Sequence, residues 1–146
     1  MNILNNYFQE LSIGRLKRLP YLGYQLLLSV FIFTFIVLTI ILMGVGEHIV
    51  SGDLEHAQNT IREWFTLPFL FVFALFMGAV CFSYVNIAAK RIRDTGLPGW
   101  ITLVIVLLLE FIAVALISEQ ASYAMHMIFS LFILFTPSDQ FKSLRK

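Results

Sequence analysis

Four long apolar runs dominate this chain, and no other feature limits its folding so tightly. They cover about residues 21–45, 66–89, 100–117 and 121–137. A hydrocarbon core of roughly 30 Å needs about 20 apolar residues in a helix rising 1.5 Å per residue. The pattern therefore predicts an all-α membrane protein with four transmembrane helices in a compact bundle, one membrane domain over residues 1–146. The alternative, a soluble domain, would have to hide 59% hydrophobic residues and fifteen phenylalanines with only 13% charged side chains. Small domains have too much surface for that. In the third run, thirteen Leu, Ile, Val or Phe residues outweigh the single acid, Glu110, so insertion is expected. The first run is longer than the apolar core of a secretory signal, and no convincing cleavage site follows it.

Basic residues set the expected orientation. Arg15, Lys17 and Arg18 precede the first run. Lys90, Arg91 and Arg93 separate the second from the third, and Lys142, Arg145 and Lys146 follow the fourth. Of the ten Lys and Arg residues, Arg62 alone falls on the other side. Positive charge near span ends stays in the cytoplasm, so both termini are expected there. The net charge of +1 argues against a general nucleic-acid binder. Cys81 is the single cysteine, so no intramolecular disulfide can form.

Two connecting segments read as amphipathic helices. Ile3, Leu4, Tyr7, Phe8 and Leu11 recur at helical spacing opposite Asn2, Asn5, Asn6, Gln9 and Glu10, as in a short N-terminal helix lying in the membrane interface. In the first external loop, Asp53 suits an N-cap, and Leu54, Ala57, Ile61, Trp64 and Phe65 then share one face. His48 and His56 accompany Glu47, Asp53 and Glu55, but the spacing fits no zinc pattern. No catalytic set, phosphate loop or cofactor motif stands out, so no enzyme, metal or cofactor is expected.

The stretch from Lys90 to Trp100 is the most informative. Basic residues in the last turn of the second helix suit the negative end of its dipole. Gly96 suits a left-handed helix end, Pro98-Gly99 a reversal, and Trp100 an anchor at the headgroups. Asp94 either caps the turn or pairs with Arg91, Arg15 or Arg18. The turn can serve topology alone or bind an anionic lipid headgroup at the cytoplasmic face.

Gly14-Arg15-Leu16-Lys17-Arg18 followed by Tyr21, and Arg91-Ile92-Arg93-Asp94-Thr95-Gly96 followed by Gly99-Trp100, resemble the domain of unknown function 805 family. Its members are small bacterial inner-membrane proteins of the YhaH and YhaI type. The resemblance covers nearly the whole chain and departs from the family at Leu22 and in the tail from Thr136 to Lys142. It implies the bacterial inner membrane and a four-span bundle, and no established activity.

Glu110 falls near the middle of the third run, where an ionisable group is expensive and a candidate site. Ser122, His126 and Ser130, four apart, share one face of the fourth helix. A neutral Glu110 bonded to that face would fix helix register. Alternatively, Gln25, Ser29, Ser83 and Asn86 extend a polar seam that carries protons or cations. Ala74 and Gly78 give the second helix a small-residue face for packing within the bundle or between protomers. Two function classes follow. One is a non-enzymatic membrane protein acting through lipid, a second copy of itself or another membrane protein. The other is a small oligomeric transporter or channel that uses Glu110 and His126.

Overall fold

A computed structural model describes residues 7, 8, 11 and 13–142. Among these, six helices are bounded in full and no strand occurs: α1 Arg18–Leu42, α2 Val45–Val50, α3 Leu54–Trp64, α4 Leu67–Thr95, α5 Gly99–Leu116 and α6 Glu119–Phe135.

Pro20 and Pro68 fall in the first turns of α1 and α4, where a missing backbone N–H leaves no helical bond unmade. Gly44 follows the end of α1 with φ 69°, a conformation that glycine adopts without strain. The Asp53 carboxylate accepts from the His56 backbone N–H at 3.2 Å and starts α3 as the sequence suggests. That bond, with the His56 ring next to it, holds the Asp53 carboxyl below its ordinary range. Ser118 caps α6 by accepting from the Ala121 N–H at 3.2 Å, and Pro137 bars the helix from continuing.

Three of these helices, α1, α4 and α5, are long and apolar enough to cross a membrane, rather than the expected four. They make the chain a membrane protein. In their most apolar windows only 6%, 11% and 17% of residues are buried, so the apolar side chains face outward. The α6 helix has 17 residues because its start is spent on Glu119 and Gln120 and Thr136-Pro137 closes its end.

The α4 helix runs six residues past the apolar stretch that ends at Ala89, carries the basic cluster in its last turns and stops at Thr95 before Gly96, as the sequence suggests. The short helix α2, with Val45 1% exposed, is an addition to the expected loop. On α3 the expected apolar face is present, yet only Ala57 is buried, and Leu54, Trp64 and Phe65 remain exposed.

The chain divides into two compact units, one of residues up to Gln25 and from Phe82 onward, the other Leu26–Cys81. In the second unit, Phe35 stacks on Phe76 at 3.7 Å, and Phe65, Phe69 and Phe73 follow one another along α4. A cavity of about 240 Å³ lies among α1, α2, α3 and α4, lined by Phe35, Met43, Val45, Ile61 and Phe69 among other apolar residues. His48 and His56 stack with their centroids 5.8 Å apart, and His56 Nδ1 lies 2.8 Å from the Asp53 carboxylate.

In the first unit α5 and α6 pack as a hairpin across the short Ile117-Ser118 link. Most of the expected N-terminal interfacial helix, including Ile3 and Leu4, lies outside the described residues. Tyr7 and Phe8 are helical, but Tyr7 turns to protein rather than lipid. It is 5% exposed, its hydroxyl donates to the Tyr24 carbonyl at 2.9 Å, and its own carbonyl accepts from Asn86 Nδ2 at 2.8 Å. Burial pushes the Tyr7 phenol above its ordinary pKa, with Tyr24 adding to the effect.

Candidate functional site

The first unit carries two polar clusters. The larger surrounds the α4–α5 turn. Because α4 runs on to Thr95, Lys90 and Arg91 become fully buried side chains, while Arg93 and Asp94 are nearly so. A buried guanidinium is tolerable only when its N–H groups are all met. Each of the three Arg91 nitrogens has a partner, Nε the Ile133 carbonyl at 2.8 Å and the two terminal nitrogens the Asp94 carboxylate and the Thr136 carbonyl. Arg93 donates to the carbonyls of Gly14, at 2.8 Å, and Leu11. Trp100 Nε1 also donates to Leu11, at 2.6 Å. The turn residues thus reach backward to the segment before α1 and forward to the tail after α6.

The tail completes the arrangement. The Ser138 hydroxyl donates to Asp94 Oδ2 at 2.7 Å, the Asp139 N–H to the Asp94 carbonyl at 2.7 Å, and the Phe141 N–H to the Thr95 carbonyl at 2.8 Å. Gly96, at φ 102°, lies so close that an added Cβ would sit 2.6 Å from the Lys142 backbone nitrogen. At Gly99 an added Cβ would strike the Ala89 carbonyl. Close backbone approach therefore requires glycine at both positions, and at Gly96 the positive φ favours it as well.

Of the partners weighed for Asp94, the structure selects Arg91. Arg15 goes to the tail instead, 2.9 Å from the Asp139 carboxylate, and Arg18 donates from Nε to the Thr136 carbonyl at 3.2 Å. Lys17 is exposed. Asp139 stands at φ 59° and closes this contact. Thr136 and Ser138 belong to the cluster without having been singled out. A Pro137-Ser138-Asp139 run marks a tight turn, which was the available signal.

The smaller cluster joins three helices. Glu110 on α5 is 3.0 Å from Nδ1 of His126 on α6, and His126 Nε2 is 3.2 Å from the Tyr84 hydroxyl on α4. The Glu110 side chain is 14% exposed and that of His126 48%. Ser130 hydrogen-bonds the same Tyr84 phenol. A cavity of about 40 Å³ is lined by Tyr84, Glu110, His126 and Ser130 among apolar neighbours. A second, of about 190 Å³, shares Tyr84 and Ser130 and adds Tyr21 and Gln25. Gln25 Nε2 donates to the Tyr21 hydroxyl at 3.2 Å. Ser122 does not line the cavity at Glu110. Asn86 is committed to Tyr7, and Ser29 lies in the other unit. The seam runs instead through Tyr84, which a reading that treats tyrosine as an interfacial anchor passes over.

Among the described residues, no three metal-ligating side chains gather. The fold and its two clusters define a helical membrane protein whose most distinctive residues form an internal polar clasp. The chain belongs to the family described as "Protein of unknown function (DUF805)", which matches residues 11–143. No curated protein and no solved structure matches it.

Proposed function

We propose that the chain is a four-pass protein of the bacterial inner membrane, with both termini in the cytoplasm, that acts through binding rather than catalysis. Its ligands in this reading are anionic lipid headgroups and a membrane-protein partner, a second copy of the chain included. The observation that carries it is how the charges are divided. Arg91, Arg93 and Asp94 are buried in internal bonds, while Lys17 stands exposed beside the same turn, and so do Arg15 and Arg18 even with their bonds to Asp139 and the Thr136 carbonyl. Exposed cations at a membrane surface attract anionic lipid by about 1 kcal/mol each.

The fourth span is supported by the length of α6. Its 17 residues lie at the short end of what spans a bilayer, about 25 Å at 1.5 Å per residue. The placement of nine of the ten basic residues supports the orientation.

Native mass spectrometry of the protein extracted in mild detergent tests this reading. Retained anionic phospholipid, reduced in Lys17→Gln with Arg18→Gln, is expected. Indifference to headgroup charge, with no copurifying membrane protein or second copy, would remove it.

A second reading, a small oligomeric transporter or channel, is favoured by the chain Glu110–His126–Tyr84, since hydrogen-bonded ionisable groups inside a helical membrane protein are candidates for ion paths.

A further inference from the structure

We infer that Glu110, His126 and Tyr84 form a proton relay, which loads one proton onto the Glu110 carboxylate from the side of the larger cavity. This rests on the second reading above and narrows its ion to H⁺.

The geometry gives each group one defined partner. Both imidazole nitrogens are engaged, Nδ1 with Glu110 and Nε2 with Tyr84. Imidazole is the side chain that can accept a proton at one nitrogen while releasing another from the opposite nitrogen. The three groups come from three helices and lie mid-helix, Glu110 roughly 15 Å along α5 from Trp100. Two cavities adjoin them: the smaller is lined by all three, the larger by Tyr84 alone of the three. The one at Tyr84, about 190 Å³, is roomy and has the polar groups of Gln25, Tyr21 and Ser130 on its wall. The smaller one, about 40 Å³ and the one that Glu110 lines, admits little more than a water molecule. An organic cation or a hydrated metal ion does not fit so small a space, and a single carboxylate offers it too few oxygen ligands. A proton needs neither volume nor a ligand shell.

The step balances. At the start, the Tyr84 O–H donates to Nε2 and the His126 Nδ1–H donates to the Glu110 carboxylate. A proton from water in the larger cavity binds the Tyr84 oxygen, whose own proton passes to Nε2. The Nδ1 proton passes to Glu110. At the end Glu110 is a neutral carboxylic acid accepted by Nδ1, Nε2–H donates to Tyr84, and Tyr84 carries the incoming proton. The cluster charge goes from −1 to 0, with no change in electrons. The titratable groups that face His126 are Tyr84 from α4 and Glu110 from α5, with Tyr21 of α1 on the wall of the larger cavity.

The test uses the full chain in lipid nanodiscs, with a pH jump as the source of protons and infrared detection of the protonated carboxyl stretch. Acidification should raise a band that is absent in Glu110→Gln. In Tyr84→Phe and His126→Gln the band should rise at least about a hundredfold more slowly, the low end of what a positioned proton donor contributes. Its final amplitude in Tyr84→Phe should be kept. A purely structural role would not separate rate from amplitude. Equal rates in all three proteins, or no band that depends on Glu110, would overturn the relay. Vesicle flux separates it from the broader reading. Sodium or potassium flux that depends on Glu110, without the carboxyl band, keeps the transporter and removes the relay. The band with its slowed variants, in vesicles that pass no ion, keeps the relay as a proton store and removes the transporter.

Discussion

The α4–α5 turn and the segment between α1 and α4 are both connections between apolar helices, and they are held by opposite means. Around the turn, the guanidiniums of Arg91 and Arg93 bind four backbone carbonyls and one carboxylate, and the tail adds backbone bonds of its own. Between α1 and α4, the contacts are stacked aromatics around an apolar cavity of about 240 Å³, with the Asp53–His56 pair as a local tie. A guanidinium demands specific acceptors at fixed positions, whereas apolar packing accepts other hydrophobic residues of similar volume. The first kind of connection specifies one geometry. The second tolerates substitution and motion, and cavity space goes with it.

The largest effect expected from this contrast is at Arg91. Arg91→Met should strand Asp94 and the carbonyls of Ile133 and Thr136, at a cost of about 3–5 kcal/mol, the usual range for breaking a buried ion pair. Thermal unfolding in detergent, followed by size-exclusion chromatography, measures it. A variant as stable as the parent would show that the turn needs no buried cation.

A smaller effect separates two acids of the same cluster. Asp94→Asn weakens a charge-assisted bond to Arg91 and should cost about 1.5–3 kcal/mol. Asp139→Asn disturbs the half-exposed pair with Arg15 and should cost no more than about 1 kcal/mol, because such pairs are screened by water. Parallel melting curves decide. Asp139→Asn as damaging as Asp94→Asn would move the anchor of the clasp from the helix end to the tail.

The smallest effect is in the other region. The Asp53 carboxyl is held low by its bond from the His56 N–H. A group whose folded pKa is depressed stabilises above its ordinary value and loses that contribution as pH falls through the folded value. Hydrogen exchange at the His56 and Ala57 amides should therefore stay slow at pH 6. After allowance for intrinsic exchange, opening should increase below about pH 4, the ordinary carboxylate range. Asp53→Ala should open these amides at both pH values.

The contrast also governs what could be read in the sequence. Long apolar runs declare helices because lipid leaves the backbone no other partner, so α1, α4 and α5 are plain from composition alone. Asp94 and Arg91, three apart on one helix, were within reach as a pair. So was the end of α4 at Gly96. The destination of its cations was not, because their acceptors are carbonyls of Leu11, Gly14, Ile133 and Thr136. Every residue type carries a carbonyl, so no pattern announces it. The meeting of Glu110 and His126 follows from helical spacing across a short hairpin. Tyr84 joins them from a third helix, whose rotation only packing decides.

The two buried guanidiniums also find their acceptors at different moments in the life of the chain. The carbonyls of Leu11 and Gly14 that receive Arg93 are synthesised before it. Those that receive Arg91, at Ile133 and Thr136, follow it by 42 and 45 residues. At about 5–20 residues per second, a ribosome reaches them roughly 2–9 s later. During that interval Arg91 has Asp94 but neither of its carbonyls, so its site cannot close until α6 has been made. The last helix is thus the step that seals the clasp, and a chain interrupted before Ile133 would keep Arg93 anchored while Arg91 still waited for water, lipid headgroups or a chaperone to satisfy it.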